Sequence, residues 1–269
     1  MHCLGENSNL ALRFPMKKLI LPLSILLTFT FACKRAHVTG VNATYVEMNP
    51  GVEQGDSVIH ALLNPYKLQL DSVMNEVVGQ TAFSLPNEKG KTETLLGNFV
   101  ADACLEEGNK NYHPADSRPA QIAIFNNGGL RASLPAGNVT KGNVYELMPF
   151  DNELVVVTLS GTKMWELIKF AASTGGLPIS GMNVGMHPDK TPGTVLIQGV
   201  PFDSTKTYKV MTSDYLSNGG DKYAFFKDPI ASEKTGYLLR NAILESFNTA
   251  RKAGKMITPV TDGRMYYEK

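Results

Sequence analysis

Cysteine is scarce in this chain. Cys3, Cys33 and Cys104 make an odd set of 3 among 269 residues, which excludes a fully paired disulfide framework. Histidine is nearly as sparse: His2, His37, His60, His113 and His187 are scattered, and Asp203, Asp214 and Asp228 do not supply the missing ligand spacing. A catalytic metal centre needs clustered ligands, so no metal ligand is assigned in this chain. An excess of one charge is missing too. Lys+Arg 26 balance Asp+Glu 25, leaving +1, and no basic stripe offers a nucleic acid polymer the phosphate contacts it requires. There is no internal repeat and no Pro/Ser-rich linker inside residues 41–269. Hydrophobic residues at 43% and charged residues at 19% describe an ordinary folded chain, neither disordered nor fibrous.

The N-terminus reads as a targeting device. Lys17 and Lys18 precede an apolar run from Leu19 to Ala32, broken by Pro22. It is shorter than the roughly 20 residues of a membrane-crossing helix, and basic, apolar and small segments in this order mark a secretory signal. Thr30-Phe31-Ala32-Cys33 resembles a bacterial lipobox, with Thr30 where Leu is usual. Cys33 would then be the lipidated first residue of the mature protein. A plain signal peptide or a buried helix is the competing reading. Met16 offers a natural start. The expected organisation is a signal peptide over 1–32, a polar tether over 33–40 and one domain over 41–269. The protein is expected at a bacterial cell envelope, lipid-anchored and facing the periplasm, or secreted. Cys104, in an apolar helical stretch with no neighbouring base, reads as core.

Periodicity gives the elements. Strands are expected at 41–48, 77–83, 121–125, 144–147, 154–159, 195–197 and 208–212. Asp56 can cap a helix through Leu63 that Pro65 interrupts, with an apolar pattern continuing to Val73. Further helices are expected at 92–106, 161–172 and 236–247. Their irregular interleaving predicts an α+β (mixed α/β) fold, a single domain with a mixed sheet.

Three polar segments lie at strand ends, two of them with paired glycines: Asn126-Asn-Gly-Gly-Leu-Arg131, Met148-Pro-Phe-Asp-Asn152 and Ser213-Asp-Tyr-Leu-Ser-Asn-Gly-Gly-Asp221. Paired glycines let backbone approach a ligand or take positive φ. Arg, Asn and Asp beside such turns present donors and acceptors to hydroxyls or anions. Phe150 and Tyr215 come from different loops, and such a pair can clamp a planar ring.

In this order the segments resemble the C-terminal domain of the 5'-nucleotidase family. That family carries an Asn-Gly-Gly-Gly-Ile-Arg type motif, then Pro-Phe-x-Asn, then an aromatic shortly before Gly-Gly-Asp-Gly-Tyr. Thr92–Asn98 with Ala101-Asp-Ala103 is similar to its opening helix, and the resemblance covers most of residues 55–265. It departs at Asn127 and Lys222, which replace glycines, and at Lys89 and Lys91, where an Arg is common. The resemblance implies a fold of the family's C-terminal type, which binds the nucleoside part of the substrate. It implies that a base stacks between Phe150 and Tyr215. Asn126 would read base or ribose, Arg131 and Asp221 would engage ribose hydroxyls or phosphate, and Asn152 would support the site.

Catalysis in that family belongs to a separate two-metal metallophosphoesterase domain with Asp-x-His and Gly-Asn-His type motifs, and none of the histidines here lies in one. The leading expectation is therefore the nucleotide-recognition half of a split periplasmic 5'-nucleotidase, with no catalytic residue and no cofactor of its own. Divalent metals would be held by a separately encoded metallophosphoesterase partner. Two readings compete: a non-catalytic lipid-anchored nucleoside-binding protein, and a structural lipoprotein with a vestigial site.

Overall fold

The structure, a computed structural model, describes residues 56–268 together with Ala43 and Tyr45. The expected signal peptide, Cys33, the tether and nearly all of the expected first strand lie outside the described residues. The chain divides into two units, residues 1–56 and 57–269, and the second is the one described here.

In chain order it contains α1 (Ser57–Met74), β1 (Val77–Thr81), α2 (Leu95–Asn111), β2 (Ile122–Ile124), β3 (Gly137–Thr140), α3 (Lys141–Leu147), β4 (Glu153–Ser160) and α4 (Gly161–Thr174). Then come β5 (Ile179–Ser180), β6 (Met182–Met186), β7 (Pro192–Ile197), β8 (Val200–Pro201), β9 (Thr207–Ser213), α5 (Asp214–Ser217), β10 (Ala231–Leu238), α6 (Leu239–Lys252) and β11 (Met265–Tyr267).

The central sheet runs β10-β4-β9-β2-β5. It is mixed: β2 and β9 are parallel, while β4 is antiparallel to both β9 and β10. Side chains alternate across a strand, so β4 feeds two cores. Leu154 and Val156 face one, and Val155, Val157 and Leu159 face the other. Ala123 and Met211 join the first core; Ile122, Ile124 and Val210 join the second. Helices α2 and α6 cover the first face, with Phe99 and Phe247 meeting edge-on at 5.1 Å between ring centroids. The second face is covered by α4, through Met164, Leu167, Ile168 and Ala171, together with apolar residues of a smaller sheet of order β11-β6-β7-β8. Burial on both faces explains why the central strands read as nearly unbroken apolar runs.

Local chemistry corrects three expectations. The stretch 144–147 is the end of helix α3, not a strand. Thr140 caps that helix by accepting from the Asn143 amide, and the Asn143 side chain accepts from the Thr140 amide, a reciprocal capping box. The last helix starts at Leu239 rather than Gly236, because 231–238 pairs with β4, with a register shift between Lys234 and Leu238 where Gly236 takes φ 70°. Pro65 sits inside one continuous helix, although a proline removes a backbone donor and crowds the preceding turn. Helix α1 also leaves Val58, Leu62, Tyr66 and Leu68 exposed. No helix among the described residues is long and apolar enough to cross a membrane.

Candidate functional site

The three polar segments all follow elements anchored in the core. Phe125, directly after β2, is buried, and Asn126 opens a single 3₁₀ turn over Asn127–Gly129. A Cβ at Gly129 would stand 2.9 Å from Asn126 Oδ1, so a larger residue would displace that side chain. Asn127, at one of the family's glycine positions, donates to the Gly176 carbonyl at 2.9 Å and ties the turn to the end of α4. Arg131 donates its amide to the Leu147 carbonyl at 2.9 Å. Its guanidinium donates to the Gly128 carbonyl at 3.2 Å and lies 6.0 Å from the Phe150 ring centroid, within cation–π range.

Phe150 and Asn152 occupy the turn between α3 and β4. Tyr215 belongs to the short α5 directly after β9, where Ser213 caps the turn by accepting from the Leu216 amide. The following loop demands glycine. Gly219 has φ 88°, and a Cβ at Gly220 would meet the Tyr215 ring at 2.5 Å. Asp221 and Lys222 continue in the left-handed region at φ 48° and 69°. Lys222 therefore occupies, at a cost of about 1–2 kcal/mol, a conformation in which the related motif carries glycine.

Asp221 joins two of the segments. One carboxylate oxygen accepts from the Tyr215 hydroxyl at 2.9 Å, and the other accepts from the Asn126 amide nitrogen at 2.5 Å. The hydrogen bond to the Asp221 carboxylate raises the Tyr215 phenol above its ordinary value, so the ring stays neutral and keeps donating.

Asn126, Arg131, Phe150, Asn152, Tyr215 and Asp221 all line one cavity of 380 Å³, together with Gly128 and Gly129. The structure thus brings the six expected substrate-binding residues into one place, while Cys33 lies outside the described residues. Phe150 is 44% exposed and Tyr215 is 49% exposed, although aromatics of this size are usually buried. The volume lies within the range of small-molecule sites, about 300–1,000 Å³. An adjoining cavity shares Asn152 and Tyr215 and adds Asp214 and Asn218, neither of which had been assigned from the sequence.

Several charged or nucleophilic groups fall outside this place. Lys91 pairs with Glu88 at 2.6 Å on the surface. Cys104 is fully buried, and burial pushes its thiol far above its ordinary pKa, leaving it inert. Among the described residues no group of three or more His, Cys, Asp or Glu could hold a metal ion. The described residues therefore offer no ligand set for the metals of the family's separate catalytic domain.

The family model for the 5'-nucleotidase C-terminal domain matches residues 76–228. A trifunctional nucleotide phosphoesterase of Bacillus subtilis is 29% identical over 239 residues, covering 82% of this chain and 15% of that protein. A cell wall protein of Listeria monocytogenes is 27% identical over 242 residues, covering 78% of this chain and 29% of that protein. The crystal structure of a 5'-nucleotidase precursor from Thermus thermophilus superposes with a TM-score of 0.66 at 25% identity, over 78% of this chain and 43% of that one. The chain thus spans less than half the length of each of these relatives. With the family model covering more than half of the chain, it belongs to the 5'-nucleotidase C-terminal domain family.

Proposed function

We propose that this chain is the nucleoside-recognition half of a 5'-nucleotidase and works with a separately made metallophosphoesterase that supplies the two-metal hydrolysis. The observation that carries the reading is the pair of half-exposed rings, Phe150 and Tyr215, in one cavity with Arg131, Asn126 and Asp221. Two aromatic faces suit the planar base and tolerate its identity. The Asp221 carboxylate and the Asn126 amide suit the paired hydroxyls of a ribose, and the Arg131 guanidinium suits hydroxyls or a phosphate. Asn152 supports the same wall. Chemistry stays with the partner, because the described residues offer no clustered metal ligands. A lipid on Cys33 would hold the protein at the cell envelope and near its partner.

The test is a phosphatase assay with AMP and UDP-glucose, with and without added divalent metal. The purified chain is expected to be inactive, and a pull-down from the native membrane is expected to bring phosphatase activity with it. Metal-dependent turnover that survives purification and disappears on mutating a residue of this chain would overturn the division of labour. Mass spectrometry of the membrane-extracted protein should find an acylated Cys33; an unmodified soluble chain starting elsewhere removes the anchor.

A further inference from the structure

Arg240 is a cation with no evident reason to be buried. It sits in the first turn of α6, yet it is 6% exposed. Burying a charge costs several kcal/mol unless its donors are used. Its donors are spent on one short segment. One terminal nitrogen donates to the Met148 carbonyl at 3.1 Å, and the other pairs with the Asp151 carboxylate. The guanidinium also lies 4.0 Å from the Tyr145 ring centroid, in cation–π contact with the helix that leads into that segment. Its Nε is buried with no partner, so the side chain gives up a hydrogen bond to keep this pose.

The segment so gripped is the turn that carries Phe150. Its flanks are also fixed: the Leu147 carbonyl accepts from the Arg131 amide at 2.9 Å, and the Asn152 carbonyl accepts from the Leu239 amide at 2.9 Å. Between those two ties, Arg240 supplies the side-chain contacts on either side of Pro149 and Phe150. Phe150 itself projects half-exposed, and no aromatic ring among the described residues stacks on it.

We propose that Arg240 is a positioning residue for the aromatic wall of the cavity: by holding Met148 and Asp151 from the start of α6, it sets where the Phe150 ring stands before any ligand arrives. A ring fixed in advance costs a ligand less ordering. Planarity is required, because the same group meets a carbonyl, a carboxylate and a ring, which a lysine ammonium cannot reproduce. The consequence for ligand affinity rests on the proposed reading of the site; the positioning of the ring does not.

The experiment uses the full chain labelled with fluorophenylalanine, with the Phe150 signal assigned by Phe150→Leu. Arg240→Lys is expected to shift or split that fluorine resonance without ligand. Asp151→Ala is expected to do the same while leaving folding intact, since the Asp151 side chain is 76% exposed; it decides the matter alone if Arg240→Lys does not fold. An unchanged Phe150 resonance overturns the proposal. In calorimetry with adenosine, Arg240→Lys should weaken binding about three- to tenfold, with no further loss in a Phe150→Ala background. Equal losses in both backgrounds would overturn action through Phe150. If the unmutated chain binds no nucleoside, the reading of the site fails while the fluorine signal still decides the role of Arg240.

Discussion

Tyr215 and Tyr223 flank the same glycine loop and have opposite fates. Tyr223 is 1% exposed, and its ring meets Phe170 edge-on at 4.8 Å while its hydroxyl donates to the Phe125 carbonyl at 3.1 Å. Tyr215 is 49% exposed, no ring among the described residues packs on it, and its hydroxyl is held by Asp221. One tyrosine fastens the loop to the second core; the other is presented to the cavity. Gly219 and Gly220 allow both in so short a space, one through its left-handed backbone and the other by lying against the Tyr215 ring. The lesson is that aromatic content alone does not mark a site. A ring held by a polar contact and left uncovered does, because apolar area of that size is normally buried when nothing else is required of it.

This contrast can be broken by mutation. Tyr223→Ala has the largest expected effect, a stability loss of about 3–5 kcal/mol, read by denaturant unfolding; a fully folded variant with unchanged midpoint would remove the anchoring role. Next come Phe150→Ala and Tyr215→Ala. Each should weaken nucleoside binding roughly 5- to 150-fold by loss of stacking, with the melting temperature moving by about 2 °C or less. Large melting shifts with intact affinity would return both rings to a packing role.

The smallest effect is in alkaline stability. Burial raises the Tyr223 phenol well above its ordinary value. A raised folded-state pKa means the folded chain holds a proton that the unfolded chain releases near pH 10. The contribution is therefore complete below pH ~10 and fades as pH climbs through the folded value. Tyr223→Phe should flatten the decline of stability above pH ~10, at a cost of about 1 kcal/mol at neutral pH for the lost hydrogen bond to the Phe125 carbonyl. An equally steep decline in the variant would show that Tyr223 does not titrate in this way.

The central strands were legible in the sequence because β2, β4 and β9 are buried on both faces. The edge strand β10 was not. Its alternating residues Ser232, Glu233 and Lys234 look like a polar loop until they pair with β4. Helix α3 was misread because about two turns offer only Val144 and Leu147 as buried positions to a periodicity argument, and those two fit a strand as well. The cavity residues were legible because each lies in one of three short polar segments, two of them glycine turns, whose order matches a family pattern. Asn127 was legible only as a departure from the family motif and Asp214 only as an unclustered carboxylate, and Arg240 was not singled out, because their contacts depend on tertiary packing. Arg240 meets the Phe150 turn because α6 packs on α2, where Phe247 lies against Phe99, and nothing local in the sequence announces that.

The central claim, that Phe150 and Tyr215 grip a nucleoside base, is tested most directly by isothermal titration of adenosine and uridine into the unmutated chain and the Phe150→Ala, Tyr215→Ala double variant. The account predicts saturable binding of both nucleosides to the unmutated chain and loss of both in a double variant that still melts cooperatively. Equal affinities in the two proteins, or no binding to the unmutated chain, would contradict it.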